Sequence, residues 1–269
     1  MVAPTFILNP VKLASLDVLI PMPAPRNYSD PDGPRYAGGA APATGTADVI
    51  SLVTFNIKFA ARIDKAIELL RLAVPLRDPD VLLLQEMDAP GTERIAAALG
   101  LAYVYYPNTV HPIARKDFGC AILSRWPIAD DRKILLPHVA RLRRVQRAAV
   151  AATISVGARR LRVYNVHLAT MVDNGPKQRR AQLDAVLDDA SAWPGAVIAG
   201  DFNSPRVPLV AARRGFRWPT RRIGPTNAIW ALDHVLLKGV DLETPTSFGS
   251  VRDTVGASDH KPVWARIRL

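Results

Sequence analysis

The sequence is poor in cysteine and in long apolar runs. Cys120 is its only cysteine, so no disulfide can form within the chain, and zinc sites built from several cysteines are excluded. No apolar run approaches the length that a membrane-spanning helix needs. The N-terminal residues lack a basic segment followed by a continuous hydrophobic segment, so no signal peptide is recognised and we expect a cytoplasmic protein.

Several motifs of common enzyme classes are also missing. The chain contains no Gly-x-Ser-x-Gly turn, no phosphate-binding P-loop and no Gly-x-Gly-x-x-Gly sequence. Hydrolases with a serine nucleophile on a strand–helix turn, P-loop NTPases and dinucleotide-binding enzymes therefore find no support in the sequence.

Lysine is scarce, but arginine is abundant. The 269 residues include 27 Arg and only 8 Lys, and the formal net charge is +11. Arginine binds phosphate well because its planar guanidinium donates two parallel hydrogen bonds. A basic surface suits a phosphate-bearing partner, but it does not choose among nucleic acid, anionic lipid and small phosphoesters. An arginine-rich composition with solvated faces would give the same count.

The chain divides by composition into two parts. Residues 1–47 are rich in Pro and Gly and show no periodicity, so we predict an N-terminal arm, in which 18–20 could pair at a sheet edge. Residues 48–269 carry the apolar periodicity of one folded domain. We expect a monomer by default.

The stretch from Ala196 to Pro205 organises the domain. It begins with four apolar residues that predict a buried strand, and after Gly200 it places Asp201 and Asn203 two residues apart. Alternation along an extended chain would turn these two side chains the same way and Phe202 into the core. The same residues are also ordinary in a β-turn, so this stretch alone does not decide between a turn and a site.

Other apolar runs also border polar side chains that can bind ligands. Asn56, Glu86 and His167 follow predicted strands, Asp233 follows a short apolar segment, and Asp259 and His260 precede the last strand. Turn chemistry has no particular use for Glu or His. We therefore predict one shared site at an edge where several strands meet.

Strands grouped in hairpins, with helices between them, predict an α/β fold of two packed sheets flanked by helices. The predicted helices cover 61–74, 93–99 and 176–190.

Seven short motifs occur in an order that resembles the endonuclease/exonuclease/phosphatase superfamily, which includes pancreatic deoxyribonuclease and neutral sphingomyelinase. The motifs are TFN (54–56), LLQE (83–86), FGCAILSR (118–125), NVHL (165–168), GDFNSP (200–205), LDHVLL (232–237) and SDHKPV (258–263). The resemblance implies a four-layered α/β sandwich of two mainly antiparallel sheets and divalent-metal-dependent hydrolysis of a phosphoester.

The resemblance also implies a metal centre. Glu86 would be the principal ligand of Mg²⁺ (or Mn²⁺), since Mg²⁺ takes few protein carboxylates and keeps several waters. Asn56 would lie beside it and orient the metal ligand or the phosphate. Asp233 would be a second ligand or an orienting residue.

The remaining site residues would act on water and phosphate. Asp201 would position or deprotonate the attacking water, and Asn203 would donate a hydrogen bond to a phosphoryl oxygen. His260 would contact the phosphate or help to activate the water. Asp259 would hold its imidazole in one tautomer if a bend brings these two adjacent side chains together. His167 would contact the phosphate and stabilise or protonate the leaving group.

Departures from the family pattern bear on the substrate. Lys58 stands where repair nucleases carry an acid, and the interval from 203 to 233 leaves little room for a long DNA-binding insertion. The arginines of the segment 178–182 either belong to the site or face solvent. We predict a phosphodiesterase or nuclease, with a phosphomonoesterase, a lipid phosphodiesterase and a non-catalytic phosphate-binding protein as alternatives.

Overall fold

The computed structural model describes residues 25–269, whose strands form two sheets. The first sheet contains β1 (Tyr36–Gly39), β2 (Val49–Asn56), β3 (Val81–Met87), β4 (Ala102–Val110), β5 (Asp117–Ser124), β11 (Asp241–Leu242), β12 (Phe248–Ser250) and β13 (Val263–Arg268). The second contains β6 (Ile128–Leu135), β7 (Ala148–Val156), β8 (Arg159–His167), β9 (Ala196–Asp201) and β10 (Asp233–Lys238). The strand orders are β1-β4-β5-β3-β2-β13-β11, with β12 beside β13, and β10-β9-β8-β7-β6.

In the part of the chain that the structure describes, three α-helices and three 3₁₀ helices complete the fold. The α-helices are α1 (Ile63–Leu72), α2 (Ala89–Leu99) and α3 (Pro176–Ser191), and the 3₁₀ helices cover Val74–Leu76, Val207–Arg214 and Pro219–Arg222. Within residues 25–269, no helix has both the length and the apolar character needed to cross a membrane.

Apolar side chains pack in three layers, which gives the four-layered arrangement. Alternation along β2 shows how: Ile50 and Leu52 pack between the two sheets, while Val53 and Phe55 pack against the helices on the other face. The α1 and α2 helices cover the first sheet, and α3 covers the second through Leu183. The predicted sandwich of two sheets flanked by helices is confirmed.

Most strand pairs are antiparallel, and the two parallel pairs position the site. β2 runs parallel to β3, and β8 runs parallel to β9, with His167 opposite Asp201. β10 is antiparallel to β9 and begins with Asp233 directly opposite Asp201. The carboxyl ends of the parallel pairs and the start of β10 therefore deliver polar side chains to one edge of the sandwich.

Gly200 is required where β8 and β9 approach each other just before Asp201. Its φ is +145°, and a Cβ built there would lie 2.0 Å from the carbonyl oxygen of Val166. An L side chain would be strained in this conformation and would also push the two strands apart. The glycine in the central stretch thus has a structural reason that turn propensity alone does not give.

The structure refines two expectations about the polypeptide outside the site. The α2 helix begins at Ala89, four residues before the predicted start, because Asp88 caps it by accepting a hydrogen bond from the Gly91 amide (2.8 Å). Part of the predicted arm lies on the domain, since β1 pairs with β4 at the sheet edge. The predicted pairing of 18–20 lies outside the described residues.

Candidate active site

Polar side chains from both sheets meet at one edge of the sandwich. Seven of the eight residues predicted for the site are linked there by side-chain contacts: Asn56, Glu86, His167, Asp201, Asn203, Asp233 and His260. Apart from Glu86, which is half-buried, all of them are buried. The hypothesis of one shared site agrees with this geometry.

Asn56 joins the two sheets. Its Nδ2 donates to Glu86 Oε1 (3.2 Å) and to Asp201 Oδ2 (3.1 Å), while its Oδ1 accepts from the Lys58 amide (3.0 Å). Both ends of this side chain are therefore engaged, and in this geometry it orients two carboxylates. Its role as a metal ligand stays a prediction.

Glu86 reaches the site through a local irregularity of β3. The register with β5 shifts between Gln85 and Met87, and Glu86 has a φ of +59°. A non-glycine residue rarely adopts this conformation, and such residues cluster at functional sites. The Phe59 amide donates to Glu86 Oε2 (3.0 Å), which fixes the carboxylate at the open side of the site.

His260 lies between two buried carboxylates. Its Nδ1 is 2.9 Å from Asp233 Oδ2, and its Nε2 is 3.8 Å from Asp201 Oδ2. Burial by itself would lower the pKa of His260, but the charges of Asp233 and Asp201 outweigh it and raise this pKa to about 10. The ring therefore carries a proton on each nitrogen at neutral pH, and its Nδ1–H donates to Asp233.

The predicted contact between Asp259 and the His260 imidazole is wrong. Asp259 points away and pairs with Lys58 (2.9 Å), and about half of each side chain is exposed. Neighbouring residues on an extended segment face opposite sides, so the partner of His260 comes from another strand. The same contact pairs Lys58, which stands where repair nucleases carry an acid, with a carboxylate.

Asp201 is the point where the contacts converge. Besides the Asn56 amide, its carboxylate accepts a hydrogen bond from the Asn203 backbone amide (2.7 Å). Burial is the main cause that raises the pKa of Asp201, to about 7, with Asp233 adding to the rise and His260 opposing it. A carboxylate with this pKa can take up a proton at neutral pH.

Asn203 turns toward Asp201 by a different route from the one predicted. Its φ is +48°, so the chain leaves the extended conformation after β9. Its Nδ2 donates to the Leu168 carbonyl (3.0 Å) and lies 3.3 Å from Asp201 Oδ2. Phe202 points into the core, as expected.

Arg179 shows that the segment 178–182 belongs in part to the site. This buried side chain donates to the carbonyl oxygens of Asn203 (2.7 Å) and Asn174 (3.1 Å), so it fixes the turn that carries Asn203. Arg180, its neighbour, is exposed. Of the two predictions for these arginines, a place at the site holds for Arg179 and a solvent-facing position holds for Arg180.

His167 has a cation for a neighbour. The Nη1 atom of Arg147 lies 3.0 Å from His167 Nδ1 and 2.9 Å from Nε2, and His167 Nε2 lies 3.5 Å from Asp201 Oδ2. Burial, and then the charge of Arg147, hold the pKa of His167 well below its usual value. The ring is neutral at neutral pH, so it can form hydrogen bonds but cannot serve as a proton-donating imidazolium.

Comparison with known proteins decides the family. A profile of the Endonuclease/Exonuclease/phosphatase family matches residues 53–260, most of the chain. The chain belongs to the endonuclease/exonuclease/phosphatase family. No curated protein matches it by sequence.

Solved structures share this fold at low sequence identity. TDP2 of D. rerio, in complex with a single-stranded DNA product, has a TM-score of 0.66 and 15% identity over 83% of this chain and 100% of its own. The human Nocturnin catalytic domain with a bound sulfate anion has a TM-score of 0.62 and 18% identity, over 83% of this chain and 96% of its own. Sphingomyelinase C of Streptomyces griseocarneus has a TM-score of 0.60 and 18% identity, over 82% and 99%.

Members of the endonuclease/exonuclease/phosphatase family depend on divalent metal ions, and the residues at this site fit such an ion. The site is rich in carboxylate oxygens, the ligands that Mg²⁺ and Mn²⁺ prefer. Asp233 Oδ1 is buried and has no hydrogen-bond partner within residues 25–269. One ligand atom each from Asp201, Asp233 and His260 lie within 4.8 Å of one another.

A wall of rings beside His167 was not predicted. Phe118 lies 5.5 Å from the His167 ring, and His111 packs between Phe118 (4.9 Å) and Phe59 (4.7 Å), as measured between ring centroids. Burial, and then the charges of Arg147 and Arg143, lower the pKa of His111 to about 4. His111 is thus a neutral packing group, and no spacing in the sequence distinguishes it from a surface histidine.

Beneath the site of this family member, a buried amide network ties the two sheets together. Gln85 Nε2 donates to Asn165 Oδ1 (2.7 Å) and to Thr54 Oγ1 (2.9 Å), and Asn165 Nδ2 donates to the Leu84 and Ala121 carbonyls (both 2.8 Å). Buried amides that are almost fully bonded fix relative position more tightly than apolar contacts do. The signal was in the quoted motifs LLQE and NVHL, where Gln85 and Asn165 accompany Glu86 and His167.

Proposed function

We propose that this protein hydrolyses phosphodiester bonds with the help of Mg²⁺ or Mn²⁺. The observation that carries the proposal is the convergence of Glu86, Asp201 and His260 at the edge where both sheets end. A carboxylate able to take a proton, a cationic imidazole and a second carboxylate directed at the same space are the groups that in-line attack of water on phosphate requires.

Glu86 is the proposed principal metal ligand, with Asp233 and Asn56 as the neighbouring candidates. When bound, the ion would supply a Lewis acid for a phosphoryl oxygen. Glu86 suits this role because the backbone amide of Phe59 fixes one of its oxygens and the carboxylate is the most open of the site's acids. Asp233 is a candidate ligand because its buried Oδ1 has no hydrogen-bond partner among the described residues.

Asp201 is the proposed base. It accepts the proton of the attacking water while the new oxygen–phosphorus bond forms and the bond from phosphorus to the ester oxygen breaks. The ester oxygen leaves with the electron pair of that bond and takes up a proton from solvent. Its pKa near 7 matches the requirement that a base be ionised at neutral pH and still be able to hold a proton. Asn56 and the Asn203 amide keep the carboxylate aimed during this step.

The two histidines would contact the phosphate with different charges. His260, cationic through Asp233, stabilises the negative charge that develops on the phosphoryl oxygens. His167, neutral beneath Arg147, donates a hydrogen bond from its single N–H. Asn203 was predicted as a third phosphate contact, but its Nδ2 is engaged by the Leu168 carbonyl and Asp201 Oδ2, so we assign it to holding Asp201 in place.

Charge favours a diester over a monoester. When Asp201 is ionised, as its proposed role requires, Glu86, Asp201 and Asp233 face the cations His260 and Arg147, which leaves one negative charge before any ion binds. A divalent ion would turn this into one positive charge, which matches a phosphodiester monoanion better than the dianion of a monoester. Lys58, which would otherwise add a cation, is paired with Asp259.

The test is hydrolysis of bis-(p-nitrophenyl) phosphate against p-nitrophenyl phosphate, with Mg²⁺, with Mn²⁺ and with EDTA. We expect metal-dependent cleavage of the diester that Asp201→Asn abolishes and that Arg180→Ala, at an exposed position beside Arg179, leaves unchanged. Preference for the monoester, or full activity in EDTA, would contradict the proposal.

Nuclease activity is the second candidate. It is favoured by the 27 arginines and by the structural likeness to a protein solved with a DNA product. Metal-dependent nicking of supercoiled plasmid, lost in His260→Ala, would support it. Diester cleavage without nicking would exclude it and leave a smaller or lipid phosphodiester.

A further inference from the structure

Three loops border the site on the side of His167. Residues 111–116 join β4 to β5 and begin with His111, residues 137–146 lead into Arg147, and residues 168–175 follow His167 directly. We call these three loops the rim.

The two longer loops of the rim are bonded into one surface. The Arg141 amide donates to the Asp173 carbonyl (3.3 Å), and Asn174 Nδ2 donates to the His138 carbonyl (2.9 Å). Gln182 on α3 also holds the second loop through the Pro137 carbonyl (3.0 Å). The shorter loop, residues 111–116, adjoins them through His111, whose ring packs on Phe118 beside His167.

The rim exposes apolar side chains out of proportion to its size. It holds about a tenth of residues 25–269 but five of their twelve exposed large hydrophobic side chains: Ile113, Val139, Leu142, Met171 and Val172. Val172 is 78% exposed, Ile113 58% and Leu142 55%. Single exposed aliphatic residues are ordinary, but a group of them around a site marks an interaction surface.

The rim is also strongly cationic. Arg115, Arg141, Arg143 and Arg144 are exposed, and none of them forms a salt bridge with any residue in the described range. Asp173 is the only acid in the three loops, and it is buried. An anionic partner is therefore favoured on this face.

The apolar side chains of the rim favour a lipid surface over nucleic acid as its partner. Bases bind single-strand readers by stacking on aromatic faces, and Ile, Val, Leu and Met have none. Aliphatic side chains beside arginines are instead the composition of segments that enter the boundary between headgroups and acyl chains. Beside His260, the turn that bridges to it through Asn227 exposes Ile229 and Trp230, and Trp is favoured at membrane interfaces.

We propose that the rim docks onto an anionic phospholipid bilayer and that the site acts on a phosphodiester in a lipid headgroup. The first half stands on the rim alone, and the second half rests on the proposed phosphodiester hydrolysis. Docking would place the mouth of the site at headgroup level, with the leaving group either the headgroup alcohol or the lipid alcohol.

Vesicle flotation in EDTA tests the docking without catalysis. We expect the full-length protein to float with vesicles of phosphatidylcholine and phosphatidylserine and not with phosphatidylcholine alone. Leu142→Ser with Val172→Ser is expected to weaken binding about tenfold or more, because two apolar contacts with the acyl boundary are lost. Arg141→Gln with Arg144→Gln is expected to remove the preference for phosphatidylserine.

Leu72→Ser with Val74→Ser is the matched control, since these exposed residues lie before β3, at the end of the sheet away from Glu86. It should bind vesicles as the wild type does. Failure to bind mixed vesicles, or binding that the rim variants leave unchanged, would overturn the proposal. Absence of vesicle binding together with arginine-dependent binding of single-stranded DNA would also overturn it and assign the rim to nucleic acid.

Soluble and vesicle substrates separate this inference from the proposed function. The variant with Leu142→Ser and Val172→Ser should cleave bis-(p-nitrophenyl) phosphate at the wild-type rate and lose most hydrolysis of phospholipid in mixed vesicles. Intact cleavage of the soluble diester without vesicle binding would leave the proposed function standing and refute the docking. Vesicle binding by a protein that cleaves no diester would support the docking and refute the proposed function.

Discussion

His167 and His260 occupy almost equivalent places but differ in charge, since His167 is neutral and His260 is a cation. Each places its Nε2 within 4 Å of the same oxygen of Asp201, at 3.5 Å for His167 and 3.8 Å for His260. His260 has Asp233 behind it and remains protonated, whereas His167 has Arg147 against it and remains neutral. The surroundings of each ring set the charge that it brings to the site: burial and then Arg147 keep His167 neutral, whereas the charges of Asp233 and Asp201 outweigh burial at His260.

Asp201 is the residue that both rings share, and its loss should have the largest effect. Asp201→Asn keeps the shape of the side chain but removes the base, so kcat for bis-(p-nitrophenyl) phosphate is expected to fall by about 10²–10⁴-fold. Circular dichroism should show an unchanged fold. Activity within tenfold of the wild type would mean that another group accepts the proton.

Asp233→Asn removes the carboxylate that keeps His260 protonated. Without the carboxylate, His260 loses the main charge that raises its pKa, so kcat at neutral pH is expected to fall by about 10- to 100-fold. The loss should be smaller at lower pH, where the ring regains its proton. A uniform loss at every pH would indicate a purely structural effect.

Arg147→Met removes the cation that lies against His167. Removal of the cation should raise the pKa of His167 and reduce activity by about tenfold, since the ring loses a positioning contact. Arg180→Met, at an exposed position, is the matched control and should have wild-type activity. An unchanged pKa of His167 in the variant would show that burial alone keeps the ring neutral.

The sequence placed Asp233 in the site but did not identify it as the partner of His260. Asp233 was predicted as a site residue because it follows a short apolar segment, but the imidazole contact was given to Asp259, which would need a bend in the chain to reach the ring of its neighbour. Only the pairing of β10 with β9 places Asp233 opposite Asp201 and beside His260. Long-range register is not visible in a single sequence.

Arg147 was not identified because nothing local sets it apart. It is one of 27 arginines and lies in a group with Arg141, Arg143 and Arg144, all three of which are exposed. The apolar run after it predicts a buried strand, but not that the preceding side chain turns inward beside His167. By contrast, the four-layered sandwich followed from strand and helix periodicity together with the order of the motifs.

His111 is a second neutral, buried histidine, and its lowered pKa makes the stability of the protein depend on pH. Its pKa is about 4 in the folded protein and near 6.5 when unfolded, so its contribution is present above pH 6.5 and is lost as the pH falls toward 4. Between pH 7 and pH 5 this amounts to about 2 kcal/mol of the free energy of unfolding.

Urea denaturation of His111→Gln at these two pH values measures that contribution. The variant should lose less stability on acidification than the wild type, by the same 2 kcal/mol or so. Equal pH dependence in the two proteins would contradict the assignment of His111 as neutral.

The smallest effect is expected at Asp259. Because its pair with Lys58 is half-exposed, Asp259→Ala should change the free energy of unfolding by about 0.5 kcal/mol or less. Activity should fall by less than about threefold, in contrast to the loss in Asp233→Asn. A loss as large as that of Asp233→Asn would restore Asp259 as the partner of His260.

The charge of each ring can be measured directly. Nitrogen NMR of ¹⁵N-histidine-labelled, metal-free protein at neutral pH, assigned with His167→Gln and His260→Gln, reports whether each ring nitrogen carries a proton. We predict that His260 shows two protonated nitrogens, with its Nδ1–H hydrogen-bonded to Asp233, and that His167 shows one. Two rings in the same charge state would contradict the account.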